Sequence, residues 1–349
     1  MTIIYLHDGY RGGAATFLEQ NIRFNLKNKT KVILFDPNFK KSFPNLKKNK
    51  YLKIYNLHVF KDSKKIKELI KKLKISNQLF FFTNFGILIY YYFFFNNFKN
   101  KGQETIIALT LHSGLLQYNL KAILALGLFS ILSLRLDYLI FGSHGSRHWW
   151  FSLFPWMKII KNKVIYNGVK KQKIKKLNRK SIEVSFIGRL EKEHDPELFV
   201  DISLLNKSSK NINFNIFGDG SLKRKLLNKN KNIKFWGWCE QSKVYSKTDI
   251  TVITSHINFF PYTALESNSY GIPVISSTRG DIRKIVKNNF NGYIFNERMP
   301  LKFNYYINKT IKNYKKLSKN SLINANKFNL YKSCHTIWRF LKIENNNIR

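Results

Sequence analysis

Carboxylates are scarce in this chain. Its 349 residues hold 20 Asp and Glu against 61 Lys and Arg, a formal charge of +41. Such an excess points to an anionic partner: lipid headgroups, nucleic acid or phosphorylated substrates. The chain is also rich in Lys, Asn, Ile and Phe together, which a coding bias towards A and T produces. That bias accounts for the lysines better than for the missing acids. Cysteine is scarcer still. The two cysteines, Cys239 and Cys334, are far apart and fit no metal-ligand spacing, so free thiols in a reducing cytoplasm are expected. His-Glu-x-x-His, a P-loop and a Gly-x-Gly-x-x-Gly with all three glycines are missing, which removes the chemistry each supports. The N-terminus (MTIIYLHDGYRGG) lacks a basic segment leading into an apolar run. It reads as a first strand, with no secretion expected.

What is present is a core. Apolar residues make up 44% and aromatics 15%, too much for a disordered chain. The length predicts two domains. Thr2–Leu6, Val32–Phe35, Leu79–Thr83, Thr105–Leu111 and Tyr138–Gly142 read as buried strands. Phe17–Leu26, Lys64–Leu73 and Ile87–Phe98 read as helices between them. The alternation restarts after about residue 170. There Glu183–Ile187, Asn213–Phe217, Asn232–Trp236, Ile250–Thr254 and Pro273–Ser276 read as strands. Pro196–Leu205, Leu222–Leu227, Gln241–Ser246 and Pro261–Tyr270 read as helices. The class is α/β, with parallel sheets covered by helices on both faces. The joint falls near KVIYNGV (Lys163–Val169), ahead of the basic segment Lys170–Lys180. The expected division is 1–168, 169–325 and a last helix within 326–349.

Two apolar stretches raise the question of a membrane. Leu79–Phe98 is long enough to span, but Thr83, Asn84, Gly86, Asn96 and Asn97 interrupt it, and strand–turn–helix is the reading. Ala122–Leu134 is too short to span. It is either a core helix or one lying in a membrane interface. His148-Trp149-Trp150 and Trp156 follow it, and Trp favours such interfaces.

The stretch SHINFFPYTALESNSYGIPVIS (Ser255–Ser276) carries a single carboxylate, Glu266. Pro261 suits the start of a helix, and Gly271 with Pro273 its end. The helix N-terminus offers free N–H groups to an anion such as a diphosphate. Glu266 then stands roughly 7–8 Å further along the axis, at ~1.5 Å per residue. An ionised carboxylate there can accept two hydrogen bonds from a ribose. A solvated helix acid or an internal ion pair is the alternative.

In their order, SFIGRLEKEHDPELFV (Ser185–Val200), NIFGDGSLKRKL (Asn215–Leu226), NIKFWGWCEQSKVYSKTDITVITS (Asn232–Ser255), the Glu266 stretch and NNFNGYIF (Asn288–Phe295) resemble the retaining group 1 glycosyltransferases of the GT-B fold. GYRGGAATFLEQNI (Gly9–Ile22), TLHSG (Thr110–Gly114) and KVIYNGV fit the first half. The resemblance covers nearly the whole chain. It implies two Rossmann-like domains and transfer of a sugar from a nucleotide-sugar donor, with retention of configuration.

By resemblance, Glu266 matches the second acid of the Glu-x7-Glu motif, which contacts the donor ribose. The first falls at position 258, where this chain has Asn258. Phe259 and Phe260 match a loop whose backbone amides meet sugar or phosphate. Arg189 matches the phosphate-binding arginine, or else is a surface arginine at a strand end. The companion lysine falls at His194, with Lys192 two residues earlier. Gly12 and Gly13 resemble the first-domain glycine loop that lets backbone approach the donor phosphates; a plain turn is the alternative. His112 matches a catalytic histidine near the reacting sugar, or is a core histidine. No Asp-x-Asp is present, so no metal or other cofactor is expected, and the leaving phosphate rests on side chains and helix N–H groups.

The expected protein is a cytoplasmic enzyme held peripherally at the inner membrane face, because the charge and the aromatic first domain favour an anionic membrane. Its partners would be a nucleotide-sugar donor, a glycan or lipid-linked acceptor and an anionic membrane surface, with no specific nucleic acid. A GT-B epimerase or hydrolase of nucleotide sugars stays open, as does an inactive basic relic of the fold.

Overall fold

The computed structural model describes residues 1–9, 12–44, 46–95, 104–112, 120–172, 181–206, 211–230, 232–256, 259–277 and 280–341. The chain divides into two compact units. One is Met1–Asn167 with the C-terminal stretch from Leu330; the other is Gly168–Asn329.

The first unit is built on β1 (Thr2–Leu6), β2 (Lys31–Phe35), β3 (Leu52–Tyr55), β4 (Asn77–Phe82), β5 (Glu104–Leu111), β6 (Tyr138–Phe141) and β7 (Lys161–Val164). They pair in parallel, in the order β3-β2-β1-β4-β5-β6-β7. The central strands are near-continuous apolar runs because helices cover both faces. Ile4, Phe35, Phe80, Leu109 and Phe141 are buried in one core. Helix Leu330–Phe340 completes this unit. Its Tyr331, Trp338 and Phe340 rings lie 5.3, 5.6 and 5.4 Å from Phe24, Phe81 and Tyr138. Residues 326–329 lie in the other unit, where Val169 N donates to Phe328 O.

The second unit is built on β8 (Ile182–Ile187), β9 (Ile212–Phe217), β10 (Lys234–Gly237), β11 (Ile250–Ile253), β12 (Val274–Ser277) and β13 (Gly292–Phe295). These too are all parallel, in the order β10-β9-β8-β11-β12-β13. Each sheet reverses its strand order beside its first strand: between β1 and β4, and between β8 and β11. Open parallel sheets bind ligands at such a switch point, beyond the strand C-termini.

Three strands escape the sequence pattern in whole or part. β3 (LKIY) and β7 (KNKV) are edge strands, half exposed and interrupted by lysines, so no apolar run marks them. β13 opens on Gly292, where a Cβ would come within 2.0 Å of Val274 O. That glycine lets two strands approach.

The long apolar stretch resolves as expected into a strand and a helix. β4 stops at Phe82, Asn84 Oδ1 accepts from Gly86 N at 2.8 Å, and a helix runs over Phe85–Phe95. Its last three residues, 96–98, lie outside the described residues. No helix among the described residues is long and apolar enough to cross a membrane.

Candidate functional site

The switch point of the second sheet gathers several of the sequence candidates. Beyond β8, residues 188–190 stay clamped to the next loop: Gly188 N donates to Phe217 O and Leu190 N to Asp219 O, both at 3.0 Å. Gly218 makes this possible. Its φ is +138°, and a Cβ there would sit 1.9 Å from Gly188 O. Arg189 therefore projects from a fixed backbone. Its guanidinium is half exposed and lies 3.0 Å from the Glu193 carboxylate. Lys192, on the same loop, is exposed.

The loop then makes a 3-10 turn over Lys192–His194 and reaches Asp195, whose φ is +45°. The Asp195 carboxylate accepts from Leu198 N at 3.2 Å and so caps the helix Pro196–Leu204. Asp followed by Pro suits the first two positions of a helix.

The segment after β11 docks on that turn. Thr254 Oγ1 is shared between His194 O (3.0 Å) and Asp195 O (2.7 Å). His256 N donates to Glu193 O at 3.0 Å. The His194 ring meets Ser255 Oγ at 3.2 Å. Burial, aided by the nearby Arg189 charge, holds His194 below the usual imidazole range, so it is neutral near pH 7 and supplies no positive charge to the site.

Arg298 locks this arrangement, and nothing in the sequence marks it. It donates to Ser255 O at 3.1 Å, to Ser277 Oγ at 3.3 Å and to the Asp195 carboxylate. One side chain thus ties the ends of β11 and β12 to the turn after β8. Arg298→Met leaves the mostly buried Asp195 without its cation. A loss of about 2–4 kcal/mol is expected, read as a fall in thermal midpoint. An unchanged midpoint would remove Arg298 from this role.

Glu266 stands on helix Tyr262–Ser269. Thr263 Oγ1 donates to Ile187 O at 3.4 Å, which puts the helix's first turn at the end of β8. The helix ends as the sequence predicts, with Gly271 at φ +73° and its N–H on Asn268 O. Glu266 is not turned to bulk solvent. Tyr245 OH donates to its carboxylate at 2.8 Å, and Gln241 gives a second hydrogen bond. Tyr245 is itself buried and stacks on Tyr270 at 4.8 Å. Burial pushes the Glu266 carboxyl up to about 7, against the downward pull of those two hydrogen bonds.

The remaining candidates are dispersed. The Phe260 side chain is core, 5.5 Å from Phe328. Phe259 O accepts from Asp281 N at 3.0 Å. Asn258 lies outside the described residues. Gly12, Gly13 and His112 belong to the first unit. Gly12, at φ +143°, precedes helix Gly13–Lys27, with open space where a side chain would be. His112 follows β5 and meets Phe17 of that helix edge-on at 4.4 Å. Both of its ring nitrogens are buried and have no partner among the described residues. Burial lowers the imidazole to about 4, so it is neutral.

Residues 169–327 match the family model of glycosyl transferases group 1. The chain is similar to an uncharacterized 41.2 kDa protein in the cps region of Klebsiella pneumoniae, 25% identical over 150 residues. That match covers 39% of this chain and 42% of the relative. It is also similar to the UDP-Gal:alpha-D-GlcNAc-diphosphoundecaprenol alpha-1,3-galactosyltransferase of Escherichia coli, 29% identical over 141 residues. Here 37% of this chain and 36% of the relative are covered. The chain thus spans about two fifths of the length of these curated relatives. Among solved structures, Anabaena Alr3699/HepE in complex with UDP-glucose superposes with a TM-score of 0.76 at 14% identity. That likeness covers 99% of this chain and 100% of the other. The two parallel Rossmann-like sheets have the GT-B fold, and the group 1 resemblance read from the motifs is present in the segment that carries Arg189 and Glu266.

Proposed function

We propose that the protein is a glycosyltransferase that moves a sugar from a nucleotide-sugar donor to a glycan or lipid-linked acceptor. Anomeric configuration is retained, and the product serves a surface polysaccharide or glycolipid. One observation carries the reading. Arg189, at the end of β8, and Glu266, one turn into the helix that starts beside Ile187, flank the switch point of the same sheet.

In this reading the donor diphosphate takes Arg189 from Glu193. The guanidinium already holds a carboxylate, and its planar fork suits two phosphate oxygens equally well. N–H groups at the start of helix Tyr262–Ser269 add positive partial charge. Lys192 supplies a second cation, while neutral His194 serves to position Ser255. Glu266 exchanges its bonds from Tyr245 and Gln241 for ribose hydroxyls. The roles that the family resemblance gives Gly12, Gly13 and His112 fall on the first unit. The chain has no Asp-x-Asp pair to hold a bridging metal, so Arg189 and helix N–H groups take the leaving-group charge. The acceptor proton passes to the departing phosphate on the same face.

The test is a thermal-shift panel of nucleotide sugars, beginning with UDP-galactose and UDP-glucose. A donor at 100 times its Kd stabilises by about 2.7 kcal/mol, a shift of several degrees. No shift with any nucleotide sugar or free nucleotide would end the proposal.

A further inference from the structure

The helix Leu120–Leu132 is almost wholly apolar after Lys121 but buries only one side. Leu126 and Phe129 face the core, with Phe129 5.2 Å from the Trp150 ring. Ile123, Leu124, Gly127 and Ile131, followed by Leu134, are exposed. Their spacing puts them on one face at the helical period. Leu124 is 65% exposed and Ile131 68%. A second segment extends this face. The Trp156 indole donates to Ser130 O at 3.1 Å, which fixes Leu153, Trp156 and Ile159 beside the helix. These three are also exposed, Ile159 by 78%. Monomeric soluble proteins rarely leave such a run of large side chains open without a use for it.

The charge around the patch chooses its occupant. Between Glu104 and Gly168 the sequence has six basic residues, Lys121, Arg135, Arg147, Lys158, Lys161 and Lys163, and one acid, Asp137. The Asp137 carboxylate already accepts from Ile107 N at 2.8 Å. Arg135, Lys158 and Lys161 are exposed beside the apolar residues. A second copy of the chain would set this basic rim against itself, which like-charge repulsion opposes. A surface both apolar and anionic matches both features, and Trp156 has the indole that favours such a boundary.

We infer that the outward face of residues 123–134, with Leu153, Trp156 and Ile159, docks the first unit on an anionic bilayer, its basic rim meeting the headgroups. This deepens the proposed function by naming the face turned to a lipid-linked acceptor, and rests on that reading only for the acceptor.

Flotation of the full chain with vesicles tests it, using phosphatidylcholine alone or mixed with phosphatidylglycerol. Binding to the mixed vesicles is expected, weakening with salt. Leu124→Ser/Ile131→Ser/Ile159→Ser lowers that binding at least tenfold. Arg135→Glu/Lys158→Glu lowers it at least threefold. Lys315→Glu/Lys316→Glu, the same charge change on the second unit, leaves it within twofold. Ile159→Ser alone tests the same point if the triple variant melts early. Three results would overturn the inference: wild-type protein that ignores anionic vesicles, a triple variant that binds as wild type, or equal losses from both charge variants. A dimer in solution that the triple variant dissociates would also overturn it and assign the patch to self-association. Transfer to a water-soluble acceptor, measured on the same variants, stays within twofold. Its absence in every form, wild type included, would defeat the activity reading and leave the vesicle result standing.

Discussion

Arg189→Ala lowers kcat/KM for sugar transfer at least tenfold, and on the order of a hundredfold if the guanidinium holds two phosphate oxygens in the transition state. The side chain is half exposed and, among the described residues, pairs with the Glu193 carboxylate. An exposed pair of this kind contributes about 0–1 kcal/mol to folding, so the thermal midpoint moves little. That contrast is the diagnostic. A surface arginine at a strand end loses neither activity nor stability, and a structural one loses both. Arg189→Lys keeps the charge without the fork and falls between wild type and alanine. His194 adds a second readout. Arg189 helps hold its imidazole below the usual range, so removing that charge raises it. Titration of His194 by NMR moves upward in Arg189→Ala. Near-normal kcat/KM in this variant would take Arg189 out of the donor site.

How much of this was legible in the sequence depends on what each residue touches. Buried central strands announce themselves: Thr2–Leu6 and Tyr138–Phe141 are apolar runs because both their faces are covered. Edge strands such as Leu52–Tyr55 mix with solvent and carry lysines, so the pattern fades. Glu266 was legible because a Pro start, a Gly-x-Pro end and a lone acid bracket one short helix. Its partners were not. Tyr245 lies 21 residues away in sequence, and only the fold brings it to the carboxylate. Arg298 shows the limit most sharply. It acts through Ser255, Ser277 and Asp195, which follow three different strands and meet only once the parallel sheet is assembled. Glu193, which reads as one more charged loop residue, turns out to occupy the guanidinium that a phosphate would use.

Glu266→Gln is expected to weaken donor binding at least tenfold while making the protein more stable at alkaline pH, and the two effects have one cause. The folded-state carboxyl lies at about 7, above its ordinary value of 4.5, chiefly because burial disfavours the charge. Between those values the folded protein binds more protons than the unfolded chain. Stability therefore falls as pH rises through the window from 4.5 to about 7. The full loss is about 3 kcal/mol at most, reached above pH 8. Glutamine is nearly the same shape and carries no charge to desolvate. At pH 4, below the unfolded-chain value, the variant and the wild type melt alike. At pH 8.5 the variant melts several degrees higher, at roughly 2–4 °C per kcal/mol. Donor affinity runs the other way. The ionised carboxylate accepts two ribose hydroxyls, so wild-type affinity climbs with pH through about 7, and the glutamine variant shows a low, flat profile. Calorimetric titration of the donor at pH 5.5, 7 and 8.5, beside melting curves at pH 4, 7 and 8.5, reads both. A solvated helix acid would change neither, and an acid kept only for structure would lose stability on substitution. A variant no more stable than the wild type at pH 8.5, with donor affinity intact, would mean that Glu266 is not the ribose acid.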